Sequence, residues 1–305
     1  MRIIVTGGTG FLGSTVANLL LSEGHDVTIL DRVDPGIKGL PVDADFARGD
    51  IRDRDLLDKV LAGADEVYHL AGVLGTSELQ ESIQDAIDVN IRGTVNVFEA
   101  AIDAGVRRLF YPGKPNVWLN TYTITKEAAE QFGRMLTVDG SVTKISSLRY
   151  FNGFGPGQAI VPIRKIVPSF AVQALRGLPI EVYGDGEQIV DMVYSRDLAR
   201  ITVDFTRTET IGRTPDCGTG VMITANEVAT AVNSYFGNSA GIRHLPMRPG
   251  ETPNTVLTAD TSDLRDVLGD YSVTEFETAL SETLDWYAQL PTSAIDKAIS
   301  FYSWS

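Results

Sequence analysis

The sequence predicts an α/β protein in which a doubly wound parallel sheet is followed by a smaller mixed α/β lobe. Three observations carry that prediction. In the first half, short β-branched runs alternate with amphipathic helical stretches, the pattern of parallel strands joined by crossover helices. A glycine-rich turn, Thr6-Gly7-Gly8-Thr9-Gly10-Phe11-Leu12-Gly13, separates the first strand-like run from the first helical one. Beyond Asn152 the alternation gives way to the turn-rich segment Gly153-Phe154-Gly155-Pro156-Gly157-Gln158. The change of composition sets a boundary between a core over residues 1–152 and a lobe over 153–305, with room for later strands to return to the core sheet.

Taken in order, strands are expected at Arg2–Thr6, Asp26–Asp31, 66–70, 107–111 and 143–149, where apolar and β-branched residues concentrate. Helices are expected at Phe11–Ser22, 53–61, 90–104 and 124–138, the last two rich in Ala, Glu and Val. In the second lobe, 167–176 reads as helix and Ile180–Tyr183 as strand.

Composition narrows the function classes. A net charge of -14 disfavours the clustered cations that a nucleic-acid backbone requires, although a local Arg or a helix N-terminus can still hold a small anion. The single Cys217 cannot form an internal disulfide, and the N-terminus carries no secretory apolar region. A cytoplasmic protein is expected. No apolar run reaches the roughly 18 to 20 residues that span a bilayer, so no membrane partner is expected. His25, His69 and His244 stand in unrelated contexts, which points away from a metal cluster or a Ser-His-Asp hydrolase.

The glycine-rich turn lies between a strand and a helix, the setting a dinucleotide-binding loop needs. Gly7 permits the tight turn, Gly10 lets backbone amides approach a pyrophosphate, and Gly13 lets the helix pack closely on the strand, with Phe11 and Leu12 opening that helix. Asp31 ends the second strand, where a carboxylate accepts hydrogen bonds from the adenosine ribose and repels a 2′-phosphate. NAD is therefore expected over NADP, a preference that Arg32 softens. Asp50 and Ile51 are placed to meet an adenine edge, or alternatively form an ordinary helix entry.

Tyr122 and Lys126 are four residues apart and so share one helix face. A nearby ammonium stabilises a phenolate, making the tyrosine a usable acid/base near neutrality. Together with Asp50-Ile51, His69-Leu70-Ala71-Gly72, Asn90, Gly93-Thr94, Arg149-Tyr150-Phe151-Asn152, Gly155-Pro156, the run Tyr183 to Gln188 and Arg248-Pro249-Gly250-Glu251, these motifs span nearly the whole chain. In them the sequence resembles the extended short-chain dehydrogenase/reductases, more narrowly the NAD-dependent nucleotide-sugar epimerase/dehydratase family of the UDP-glucose 4-epimerase type.

The resemblance implies a Rossmann core in which Tyr122 deprotonates a sugar hydroxyl while hydride passes to the nicotinamide, and Lys126 also contacts the nicotinamide ribose. It implies that Leu70, Ala71, Gly72 and Asn90 line the cofactor path, and that Tyr150 and Asn152 sit near the nicotinamide and the substrate. Tyr183, Gln188 and Arg248 are the implied substrate contacts in the second lobe. It also implies a homodimer formed through the helices at 90–104 and 124–138.

The chain departs from the family pattern in two places. Relatives carry a Ser or Thr before the catalytic tyrosine, whereas this chain reads Tyr111-Pro112-Gly113-Lys114-Pro115-Asn116-Val117-Trp118. Lys114 or Asn116 is positioned to donate a hydrogen bond to the sugar oxygen; alternatively the loop is restructured and has no chemical task. Thr76 is a further candidate hydroxyl, or a loop residue beside a Ser77 cap, with Glu78 either an extra base or a first-turn acid. Relatives also have an Arg where this chain has Val190. Arg248 remains for the diphosphate, with Arg164 or Lys165 as the second charge.

Because the loop lacks the Asp-Glu pair of 4,6-dehydratases, the sequence points to an NAD-dependent epimerase acting at C4 of a nucleotide-diphosphate sugar through a transient keto-sugar. A dehydratase or keto-reductase is the enzymatic alternative, and a non-catalytic NAD-binding sensor or scaffold the alternative of another class.

Overall fold

The computed structural model describes residues 1–302 apart from 37–38, 76–77, 80, 116–117, 138–141, 209, 211 and 249–250. Its core is a seven-stranded sheet made of β1 (Arg2–Thr6), β2 (Asp26–Asp31), β3 (Asp45–Arg48), β4 (Glu66–His69), β5 (Arg108–Gly113), β6 (Lys144–Tyr150) and a late strand at Asp216–Cys217. All pairings are parallel, and from β3 the order runs β2, β1, β4, β5, β6 and then the late strand. The order reverses beside β1, which places a crevice at the carboxyl ends of β1 and β4, the Rossmann position for a ligand.

Helices cover both faces. On one lie α1 (Phe11–Ser22) and the later Ser195–Thr206 helix, burying Ile3, Val5, Leu20, Phe110, Leu148 and Phe205. On the other lie α2 (Arg54–Leu61), α3 (Ile83–Ala86), a π-helical segment (Ile87–Gly93), α4 (Thr94–Asp103) and α5 (Thr121–Leu136), burying Ile4, Leu57, Val97, Phe98 and Ala129. Asp53 caps α2 by accepting from the Leu56 N–H at 3.1 Å.

The expected elements are present with shifted ends, and two readings are corrected. The strand Asp45–Arg48 was not foreseen: it is a sheet edge, and its charged, part-exposed residues lack an apolar signature. The helix expected at 90–104 begins earlier and contains the π segment. Asn90 sits in that segment with its side chain clamped to Val73, accepting from Val73 N–H and donating to the Val73 carbonyl, each at 2.9 Å.

The second lobe contains β7 (Asn152–Phe154), α6 (Ile166–Leu175), β8 (Ile180–Tyr183), β9 (Ile189–Val190), β10 (Met192–Tyr194), α7 (Ser195–Thr206), β11 (Asp216–Cys217), β12 (Ile223–Thr224), α8 (Ala225–Tyr235), β13 (Ile242–Leu245), α9 (Ser262–Leu268), α10 (Phe276–Ala288) and α11 (Thr292–Tyr302). Of these, α7 and β11 belong physically to the core layers, so the chain crosses the residue-152 boundary and comes back. The lobe's own core joins Phe170, Val182, Val228, Leu284 and Tyr287 beneath α6, α8 and α10. Buried Asp191 ties the parts together, accepting from Thr219, Gly220 and Ala259 N–H groups at 2.8 to 3.1 Å.

Candidate active site

The turn between β1 and α1 is shaped for close backbone approach. Gly7 has φ +71°, and a Cβ there would lie 2.6 Å from the Ala71 nitrogen; at Gly13 a Cβ would fall 2.0 Å from the Gly7 carbonyl oxygen. Gly10 precedes α1 without a side-chain cap, so the first helical amides, beginning at Phe11 and Leu12, remain for an anion. Within the turn the Thr9 hydroxyl is buried with no partner among the described residues. Asp31 stands beside it, accepting from the Thr9 N–H at 3.2 Å and the Val33 N–H at 3.1 Å.

Arg32 is turned away from the role that would soften the preference for NAD: its guanidinium faces Asp50 at 3.5 Å. Asp50 also accepts two bonds from the Arg52 guanidinium at 3.0 and 2.7 Å, which hold its carboxyl below the usual range. Ile51 is buried under Gly93, where a Cβ would come within 2.8 Å of it. Leu70, Ala71 and Gly72 follow β4 along the crevice, with the Ala71 N–H donating to Thr6 Oγ1 at 3.3 Å. Asn90 is correctly located under this loop, but its amide is spent on Val73 and on Thr125 Oγ1 at 3.2 Å. It shapes the path rather than offering that amide to a ligand.

At the reaction centre, Asn120 caps α5 by accepting from the Thr123 N–H at 2.9 Å. Tyr122 is half-buried on the first turn, and burial pushes its phenol up to about 12. One turn on, buried Lys126 holds its ammonium 3.9 Å from the Tyr111 ring centroid. Burial pushes this lysine down to about 7, opposed by Glu130 and reinforced by Lys114. The expectation that the ammonium lowers the phenol is corrected to this extent: the ammonium lies over Tyr111, and desolvation governs both groups.

Lys114 donates to Thr123 Oγ1 and to the Pro115 carbonyl, both at 2.8 Å, and its ammonium is 5.9 Å from the Tyr122 ring centroid. Thr76 and Asn116, the other candidates for the missing hydroxyl, lie outside the described residues.

The facing wall comes from the second lobe, and there the structure corrects the choice of second cation. Arg164 is committed to Glu181 at 2.9 Å and to the Tyr183 hydroxyl, with its guanidinium carbon 4.7 Å from the Tyr302 ring centroid. It braces Tyr183 from behind. Its neighbour Lys165 instead shares the field of Glu78, Arg248 and Glu251. Arg248 lies 5.5 Å from the Tyr183 ring centroid and pairs with Glu78 at 3.5 Å and Glu251 at 3.6 Å. Glu78 is thus an ion-pair partner of Arg248.

Two polar atoms on this side are buried without partners among the described residues: Asn152 Nδ2 and Gln188 Oε1. Gln188 Nε2 donates to the Tyr183 carbonyl at 3.0 Å, which aims the other end of its amide. The Tyr150 ring stacks on Phe110 with centroids 5.8 Å apart, and its hydroxyl bonds Thr202 of α7. Sequence reasoning passed over Asn120, Thr123 and Trp118, whose Nε1 donates to Thr255 Oγ1 at 3.1 Å and ties the loop to the second lobe. The Asn-x-x-Thr spacing of a helix cap was the available signal for the first two.

With this geometry in place, the profile of the NAD dependent epimerase/dehydratase family matches residues 3–215. The chain belongs to the NAD-dependent epimerase/dehydratase family. Among relatives, a dTDP-glucose 4,6-dehydratase of Streptomyces niveus is 30% identical, over 94% of this chain and 93% of that protein. A UDP-N-acetyl-alpha-D-glucosaminuronate decarboxylase of Bacillus cytotoxicus is 26% identical, over 95% and 98%. The UDP-glucose 4-epimerase of Thermus thermophilus, solved in complex with NAD, superimposes with a TM-score of 0.84 at 26% identity, over 95% of this chain and 100% of the other. The family cofactor, NAD, suits the residues present: the uncapped start of α1 and the orphaned Thr9 hydroxyl accommodate it, on a turn that the close packing at Gly7 and Gly13 holds in place.

Proposed function

We propose that this family member is an NAD-dependent epimerase of a nucleotide-diphosphate sugar, inverting C4 through a transient keto-sugar. The observation that carries the reading is Tyr122 and Lys126 on one turn of α5, one half-buried and the other buried, at the carboxyl edge of the sheet. The loop Gly113 to Asn116 supplies no carboxylate pair to expel water, which favours epimerisation over dehydration.

NAD, when bound, supplies the acceptor and donor of hydride. Gly7, Gly10 and Gly13 would take its pyrophosphate, Asp31 its ribose, Asp50 and Ile51 the adenine edge, and Leu70 to Gly72 the path between. Tyr122 takes the proton of the sugar hydroxyl and later returns it. Lys126 would hold the nicotinamide ribose. On the other wall Arg248 and Lys165 would hold the diphosphate, displacing Glu78 and Glu251, while Tyr183, Gln188 and the unpaired amide of Asn152 bind the sugar nucleotide.

Incubating the NAD-bound protein with UDP-, GDP-, dTDP- and CDP-sugars and following the sugar protons by NMR tests the reading. Conversion of one sugar to its epimer without accumulating NADH is the expected result. Loss of water or of carbon dioxide would assign a dehydratase or decarboxylase instead, and stoichiometric consumption of added NADH a reductase. NAD binding with no reaction across the panel would favour a sensor.

The same reading includes a cytoplasmic homodimer. Ile83, Ile87, Ile124, Phe132 and Met135 are exposed on α3, the π segment and α5, which pack side by side, and Met135 is 62% exposed. Apolar side chains gathered in this way suit a self-complementary helical contact.

A further inference from the structure

We propose that the Lys114 ammonium, in place of the hydroxyl used by relatives, is the second hydrogen-bond donor to the reacting oxygen of the sugar, beside Tyr122. This rests on the epimerase reading above and names a catalytic residue within it.

Taking an ammonium even partly out of water without an anion beside it costs free energy. Lys114 directly follows β5 at the carboxyl edge of the sheet, is half-buried, and forms no ion pair with a carboxylate among the described residues. Its hydrogen bonds reach one hydroxyl and one carbonyl, Thr123 Oγ1 and Pro115 O. An ammonium has three donors, so a third remains for a ligand. Partial desolvation of a cation with no carboxylate beside it carries a cost that an anionic or polar ligand would offset.

The position is also specific. Thr123 follows Tyr122 on the first turn of α5, so the bond to its hydroxyl fixes the ammonium against that turn, 5.9 Å from the phenol ring centroid. Asn120 anchors the same turn through the Thr123 N–H. Two atoms, Thr123 Oγ1 and Pro115 O, thus set where the Lys114 nitrogen lies, and Asn120 steadies the turn that carries the first of them. A loop residue serving only as a spacer would need none of them.

Burial, with Lys165 second, pushes Lys114 down to about 8. Near neutrality it is therefore mostly charged and able to donate, and it loses that ability as pH rises past 8. An anionic substrate entering between Lys165 and Lys114 favours the charged form of both. The ammonium keeps its proton throughout: Tyr122 carries the proton that is transferred, and Lys114 stabilises the negative charge that develops on oxygen.

The test uses the NAD-bound full chain in five forms: wild type, Lys114→Met, Lys114→Arg and, for binding alone, Tyr122→Phe with and without Lys114→Met. Turnover of the sugar identified by NMR should fall about 100- to 1,000-fold in Lys114→Met, mostly in kcat. Lys114→Arg, always charged, should move the alkaline limb of kcat/KM, which reports the free enzyme, upward relative to wild type. In the Tyr122→Phe background, calorimetry should show Lys114→Met weakening the nucleotide sugar about tenfold while leaving the matching nucleoside diphosphate unchanged.

Turnover in Lys114→Met within twofold of wild type, or equal weakening of sugar nucleotide and free nucleotide, overturns the proposal and leaves the epimerase reading standing. If wild type yields no epimer and yet Lys114→Met selectively weakens a bound nucleotide sugar, the epimerase reading falls and the Lys114 contact survives. Failure of every nucleotide sugar to bind overturns both. Should Lys114→Met not fold, the alkaline limb of Lys114→Arg decides: an unmoved limb overturns the proposal.

Discussion

Asp31 and Arg32 are adjacent in sequence and opposed in effect, and the structure separates them. Asp31 stays beside the glycine-rich turn, while Arg32 turns to Asp50. A 2′-phosphate arriving at the ribose site would thus meet a carboxylate without a free guanidinium to offset it. NADP should bind about 100-fold more weakly than NAD, and Asp31→Ala should shrink that gap to about tenfold or less; equal gaps in the two proteins, measured by calorimetry, would sink the assignment. Such local motifs were legible because glycine and carboxylate positions are set by backbone contact with the ligand. Orientation of neighbouring side chains was less so. Arg164 and Lys165 both precede α6, and only packing of the guanidinium against Glu181, Tyr183 and Tyr302 decides which of them faces the cleft. Tyr150 shows the same limit on a strand, where a change of parity sends the ring to the opposite face.

At the level of elements, β1, β4 and α4 are joined by one buried imidazole. His69 lies 2.6 Å from Thr6 Oγ1 and 3.0 Å from Thr94 Oγ1, and complete burial, aided by the Lys126 charge, pushes it down to about 3. The folded protein therefore refuses a proton that the unfolded chain accepts between about pH 6.5 and 3, so stability falls as pH falls through that window. Denaturant midpoints between pH 7 and 5 should drop in wild type at up to about 1.4 kcal/mol per pH unit, and more shallowly in His69→Gln. Identical slopes would remove His69 as the cause. Long amphipathic elements such as α1 and α5 were readable from periodicity, and β1 and β2 from their apolar runs. The π segment was not, because its register is held by Asn90 reaching Val73, a contact seventeen residues away that leaves no periodic trace.

On the scale of the whole molecule, the exposed apolar face of α3, the π segment and α5 lies on the opposite side of the sheet from α1 and α7. Phe132→Glu should therefore yield a monomer by light scattering while retaining NAD binding; a wild-type protein already monomeric at micromolar concentration would defeat the dimer reading. The division at residue 152 describes composition better than architecture, since α7 and β11 rejoin the core after the chain has entered the second lobe. That late return has a consequence during synthesis. The outer edge of β6, complete at Tyr150, has no partner strand until Asp216 and Cys217 leave the ribosome. At roughly 5–20 residues per second, a bare row of backbone donors and acceptors persists on the nascent chain for on the order of several seconds. During that interval the growing polypeptide is most open to pairing with a neighbouring copy on the same message, which the charges of Lys144 and Arg149 on β6 oppose.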